Sequence, residues 1–261
     1  RAPARSPAEP GASPPREYIG AAACGQCHEK AFAAWQGSHH RLAMQEATAQ
    51  SVLGDFGRKR FSHAGTISTF FRRDGRFYVN TDGPDGRPAD FEIKYTFGVT
   101  PLQQYLAAFP GGRLQALPIA WDARPKSQGG QRWFHLYPGQ RITPRDPLHW
   151  TRLNQNWNWM CADCHSTDLR RNYDSASDSF KTAWSEINVS CEACHGPGSA
   201  HAAWANKAPG WEKMANRGLE VALDERKGVA GPMNAASGSA MRSRPLASRR
   251  EVDTCGQCHA R

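Results

Sequence analysis

Cys161-Ala162-Asp163-Cys164-His165, followed by Cys191-Glu192-Ala193-Cys194-His195, is the stretch on which the reading of this chain turns. Each segment is C-x-x-C-H. Two thiols at that spacing on a short helical turn face one edge of a porphyrin, and the next residue is aimed at its iron. The pattern recurs as Cys24-Gly25-Gln26-Cys27-His28 and as Cys255-Gly256-Gln257-Cys258-His259. The chain has eight cysteines, and these four motifs use all of them. Other uses of paired thiols explain less. All-cysteine zinc sites take four thiolates per metal and leave a histidine after every second cysteine without a role. Disulfides also consume cysteines in pairs, but such short loops are poor staples and again ignore the histidines. The motifs therefore predict four haems c. Their thioether residues are Cys24, Cys27, Cys161, Cys164, Cys191, Cys194, Cys255 and Cys258, and their proximal ligands are His28, His165, His195 and His259.

Hydrophobic residues make up 39% of the 261, beside 24 glycines and 18 prolines, which is lean for a protein core. Four buried macrocycles would supply the missing apolar mass, with the nine tryptophans packed on their faces. Haem is attached to C-x-x-C-H outside the cytoplasm, so the chain is expected to be exported to the periplasm or beyond the cell. It shows no charged and apolar leader, which reads as a signal peptide already removed. No apolar run approaches the ~20 residues that span a bilayer, so no transmembrane segment is expected. The polypeptide carries a formal charge of +9, which the propionates of four haems would largely offset. Arg72, Arg73, Arg113, Arg132, Arg152, Arg170 and Arg171 are suited to pairing with propionates. Nothing calls for nucleic acid.

In chain order, residues 1 to 16 read as a flexible Pro/Ala-rich tail, and 17 to 261 as one tetrahaem domain. After the first motif, Glu29 to Gln36 has a helical pattern. Ser38 is placed to cap a second helix through Leu42, Met44 and Ala47. Residues 56 to 145 read as a small β-rich insertion between haems one and two. In it, Asp74-Gly75 marks a type I′ hairpin between Phe70-Phe71-Arg72-Arg73 and Arg76-Phe77-Tyr78-Val79. Phe91, Ile93, Tyr95 and Phe97 alternate with polar residues as a strand does. Pro101 is expected to open a short helix carrying Leu102, Tyr105, Leu106 and Phe109 on one side. Leu114 to Trp121 and Gln131 to Tyr137 read as further strands. Residues 146 to 204 return to helix and loop, and 205 to 250 are expected to wrap the surface, with a short hairpin near Gly218 to Leu223. The fold class expected is mostly irregular and α, cored by haem, with the small β-rich insertion.

Beyond the four motif histidines, His39, His40, His63, His135, His149 and His201 are free to serve as sixth ligands, in competition with Met44, Met160, Met214, Met233 and Met241. Three sets of residues resemble a known group. These are Trp35-x-x-Ser38-x-His40, His149-Trp150-Thr151, and the third motif followed by Gly196-Pro197-Gly198-x-x-His201. They are similar to multihaem cytochromes c of the cytochrome c-554 type, most closely to long bacterial proteins in which such a domain precedes tetratricopeptide repeats. The resemblance covers nearly all of residues 17 to 261. It implies that non-motif histidines at such places are distal ligands to a haem other than the nearest in sequence, which points to His40, His149 and His201. His201 follows His195 so closely, past Pro197 and Gly198, that reaching the far face of the same porphyrin is difficult. For the fourth distal ligand, His63 in a loop is favoured over His135 on a strand. The long members carry further motifs and repeats that this chain lacks, so it reads as a fragment, a processed form or a shorter relative.

Closely packed haems make a path for single electrons, and histidine on both faces of an iron favours transfer over substrate binding. The leading expectation is an electron carrier, or a subunit of a filament in which end haems of successive copies meet. Its partners are redox proteins or further copies of itself. The alternative is a redox enzyme acting on a small nitrogen or sulfur compound at one five-coordinate haem.

Overall fold

Asp74 and Gly75 turn the chain with φ of 50° and 73°, as a two-residue hairpin requires, and join β3 (Thr66–Arg73) to β4 (Arg76–Asp82). Along β4, Phe77, Val79 and Thr81 are buried while their neighbours are not. In the computed structural model, which describes residues 16–260, this hairpin is the middle of a much larger sheet. The expected tail lies outside the described residues except for Arg16, which pairs with Glu220 at 3.5 Å.

The sheet has nine antiparallel strands. Added to the hairpin are β1 (Met44–Glu46), β2 (Lys59–His63), β5 (Pro88–Phe97), β6 (Leu102–Phe109), β7 (Arg113–Ala116), β8 (Ile119–Asp122) and β9 (Arg132–His135). The ladder runs β2-β3-β4-β5-β6-β8-β9, with β1 on β5 and β7 on β6. Its two end strands curl round until His63 of β2 stacks on His135 of β9, with 3.8 Å between ring centroids.

Two expectations fail here. The fold is not mostly α with a small β insertion, because this sheet is the dominant element and brings its own core. Inside it, Phe56 makes edge-on contacts with Phe70, Phe77, Tyr105 and Trp133, and Val79, Ile93, Leu117 and Trp150 complete the cluster. Gly54 leaves the room this needs, since a Cβ there would lie 2.6 Å from both Trp133 and Tyr105. The expected helix after Pro101 is instead β6. Tyr105, Leu106 and Ala107 are all fully buried, Tyr105 and Ala107 in the inner cluster and Leu106 in an outer one. A strand buried on both faces carries apolar residues in the same places as a short amphipathic helix.

The helices are short and carry the motifs. They are α1 (Ala21–Gly25), α2 (Glu29–Gln36), α3 (Trp157–Met160), α4 (Ala162–His165), α5 (Cys191–His195), α6 (Ser199–Ala205) and α7 (Arg250–His259). The second helix expected after Ser38 is only a turn, in which Ser38 caps Arg41, and Met44 continues as β1. Met44, Phe97, Leu106, Ala116, Trp157 and Ala162 form the outer cluster, which seats α3 and α4 on the sheet. A small hairpin, β10 (Tyr173–Asp174) with β11 (Ser179–Phe180), follows. The hairpin expected near Gly218 is a 3-10 turn. The chain folds back on itself later, through Ser243 to Ala230, Met241 to Pro232 and Asn234 to Ser239 backbone bonds. Among the described residues no helix is long and apolar enough to cross a membrane.

Candidate functional site

Two of the motif histidines are held through one ring nitrogen. His165 Nδ1 lies 3.1 Å from the Ala43 carbonyl and His195 Nδ1 2.7 Å from that of Val221. A carbonyl only accepts, so Nδ1 carries the proton and Nε2 keeps its lone pair for a metal. Burial lowers the pKa of His165, which favours the neutral ring that ligation requires. His201 on α6 is held the same way, with Nδ1 2.8 Å from the Arg217 carbonyl.

Two motif histidines face a second imidazole. His28 lies opposite His201 with ring centroids 6.0 Å apart and planes at 19°. His259 lies opposite His40 at 6.1 Å and 66°. Two metal–nitrogen bonds of about 2 Å, plus the distance from each nitrogen to its ring centre, separate trans imidazole centroids by about 6 Å. Between His28 and His201 is a cavity walled by Ile19, Ala23, Phe32, Ala202 and Leu219, with Cys24 and Cys27 at its edge. Cys191 and His195 of motif three line it too, and thiols, imidazoles and an apolar wall together fit haem c.

The motifs are neighbours in an order different from that of the chain. The Cys24 thiol hydrogen-bonds to Cys191, which raises Cys24 and lowers Cys191 to about 7. Motif one thus abuts motif three. Cys255 acts electrostatically on Cys194, placing motif four beside motif three, and α7 packs on α4 of motif two. In space the order is one, three, four, two. Burial pushes the Cys161 thiol up to about 11.

The other predicted ligands lie elsewhere. His149 is buried, with Nε2 3.1 Å from Asp82 Oδ2 and Nδ1 2.9 Å from Thr151 Oγ1. Burial pushes the Asp82 carboxyl up, but the hydrogen bond and charge of His149 outweigh it and leave Asp82 below its ordinary value. His63 stacks on His135, and its Nε2 lies 3.0 Å from the Gln140 carbonyl. His63, His135 and His149 line one cavity at the open end of the sheet. The structure brings none of the three to a motif histidine. His39 is exposed, and Met44 is a core residue. The seven arginines matched to propionates have protein partners. Arg73 pairs with Asp90, Arg113 with Asp178, Arg170 with Asp168 and Arg171 with Asp163. Arg72 lies over Phe77, while Arg132 and Arg152 donate to carbonyls.

Residues unremarked in the sequence hold the motifs in place. Glu192, in the middle of motif three and 2% exposed, accepts from the amides of Ile19, Gly20 and Gly198 at 2.7–2.9 Å. Glu186 takes the Ala21 amide at 3.1 Å. One carboxylate thus fastens the entry to α1 onto α5. Asn158 does the same for motif two, bonding Leu114, Gly112 and Thr182, while Asn156 bonds Gln115 of β7. Polar residues inside or beside a motif leave no periodic signal by which to find them.

The family model for cytochrome c554 and c-prime matches residues 23–58 and 146–196. Those segments contain the first three motifs and exclude most of the sheet. Over those two segments, about a third of the chain, the sequence is similar to that family of cytochromes. An undecahaem cytochrome from the S-layer of Carboxydothermus ferrireducens is similar in structure, at 20% identity and a TM-score of 0.40, over 73% of this chain and 22% of that one. The chain spans about a fifth of that protein's length. No curated protein matches the chain.

Proposed function

We propose that this protein is a tetrahaem c-type cytochrome that conducts single electrons, as an exported carrier or as a subunit of a cytochrome filament. The reading rests on the two opposed pairs, His28 with His201 and His259 with His40, at the separation of trans axial ligands. Haem bound at the four motifs would supply reversible one-electron chemistry at its iron. The chain's own part is to fix ligand, tautomer and surroundings. Carbonyls hold Nδ1 of His165, His195 and His201, so each presents Nε2. His201 and His40, facing the histidines of motifs one and four, would occupy the second face of a haem bound there and leave no position for a substrate, which favours transfer over catalysis. Motif contacts in the order one, three, four, two keep neighbouring sites close. Attachment of haem to C-x-x-C-H outside the cytoplasm supports a periplasmic or extracellular location.

The test is the intact mass and haem stain of denatured protein. About four covalent haems per chain are expected. Haem lost on denaturation, or fewer than four per chain in fully matured protein, would overturn the count.

A further inference from the structure

Residues 226–250 contain six Lys or Arg and no Asp or Glu. The segment is fastened to the start of α7, which carries motif four. Arg226 pairs with Glu251, Ser248 meets Glu225, and Arg242 donates to the Glu225 carbonyl. Glu251 and Asp253 are occupied by Arg226 and Arg249. Lys227, Arg242, Arg244 and Arg250 keep their charge without a carboxylate among the described residues. The Arg242 and Arg244 guanidinium groups bond only to backbone carbonyls, which orients them without neutralising them.

Large apolar side chains stand among these charges. Met233 is 67% exposed, Met241 59%, Val252 51% and Leu246 45%. The two methionines sit on a hydrogen-bonded fold-back, with a bridge between Met233 and Ala240 and a bond from Asn234 to the Met241 sulfur at 3.6 Å. Methionine and arginine are enriched where proteins meet, and lysine or arginine flanking an apolar centre gives such a contact its electrostatic preference. Nucleic acid would use the charges but has little use for four exposed apolar side chains. Cys255 of motif four, four residues beyond Glu251 on α7, is itself exposed.

We propose that residues 226–252 form a docking surface for an acidic redox protein, which would bring that partner to the motif-four haem. The proposal rests on the electron-transfer reading above. It names the face of exchange and the charge of the partner.

The experiment uses the matured protein and reduced flavodoxin, an acidic one-electron donor, in stopped flow at several ionic strengths. The wild type should be reduced fastest at low salt and slow steeply as salt screens the surface. Lys227→Glu with Arg244→Glu should lower the low-salt rate by about tenfold and flatten its salt dependence. Met233→Ser, which changes no charge, should slow reduction while preserving the salt slope. At high ionic strength, where charge is screened, both variants should be reduced by photogenerated methyl viologen radical at the wild-type rate. A charge-reversed variant that matches the wild type with flavodoxin would overturn the docking surface alone. Protein that neither donor reduces would overturn the electron-transfer reading instead. Self-association, or oligonucleotide binding as tight as that of flavodoxin, lost in the same variant would reassign the surface and overturn the acidic redox partner.

Discussion

The imidazole of His28 lies 6.0 Å from that of His201 with their planes 19° apart, while His40 and His259, 6.1 Å apart, are crossed at 66°. The two pairs share a separation and differ in twist. Near-parallel axial imidazoles split the iron d orbitals more than crossed ones do. The oxidised protein is therefore expected to give at least two distinct low-spin resonances, one rhombic and one strongly anisotropic. His40→Ala should remove the anisotropic signal and leave the rhombic one. Loss of both signals together would mean that the twists do not belong to separate sites.

Glu192 accepts three backbone amides that tie motif one to motif three. Glu192→Ala strands those donors where little water reaches, at a cost of about 3 kcal/mol. Glu192→Gln keeps an acceptor and should lose less. Thermal melts of the matured variants, ranked Ala below Gln below wild type, check this; equal melting points would deny the carboxylate its role.

His135 supplies a pH dependence. Burial and then the neighbouring His63 lower its pKa to about 4 from an ordinary 6.5. The unfolded chain therefore binds the proton more readily, and stability rises with pH across that window. The contribution is complete above about 6.5 and lost progressively as pH falls toward 4. Denaturant midpoints should decline over that range in the wild type and decline less in His135→Phe.

Gly54 lies against the aromatic centre of the sheet, where a Cβ would approach Trp133 and Tyr105 to 2.6 Å. Gly54→Ala should cost about 2 kcal/mol through overpacking. The urea midpoint should fall without any change in the haem spectrum, because the inner cluster that Gly54 abuts contains no motif residue.

What the sequence disclosed follows the range of the interactions. The four motifs are visible because covalent attachment needs its residues within five positions. The β3–β4 hairpin is visible because Asp74-Gly75 accepts the positive φ that its turn demands. The scale of the sheet is not, since its core is assembled from aromatics far apart in the chain, such as Phe56 and Trp133. β6 misleads because burial on both faces imitates helical spacing. Which imidazole meets His28 depends on α2 and α6 lining one cavity, and no spacing in the chain encodes that. Likewise the segment His149-Trp150-Thr151 carries the same resemblance as those of His40 and His201, but Asp82 and Thr151 occupy the nitrogens of His149.

The central claim is that His201 is the second axial ligand of the haem on motif one, and the most direct measurement is the electron paramagnetic resonance spectrum of oxidised His201→Ala. At unchanged haem content, one low-spin signal, the rhombic one, should be replaced by a high-spin signal and return when imidazole is added. A spectrum identical to that of the wild type would contradict the pairing and, with it, the ligand assignment on which this account of the protein rests.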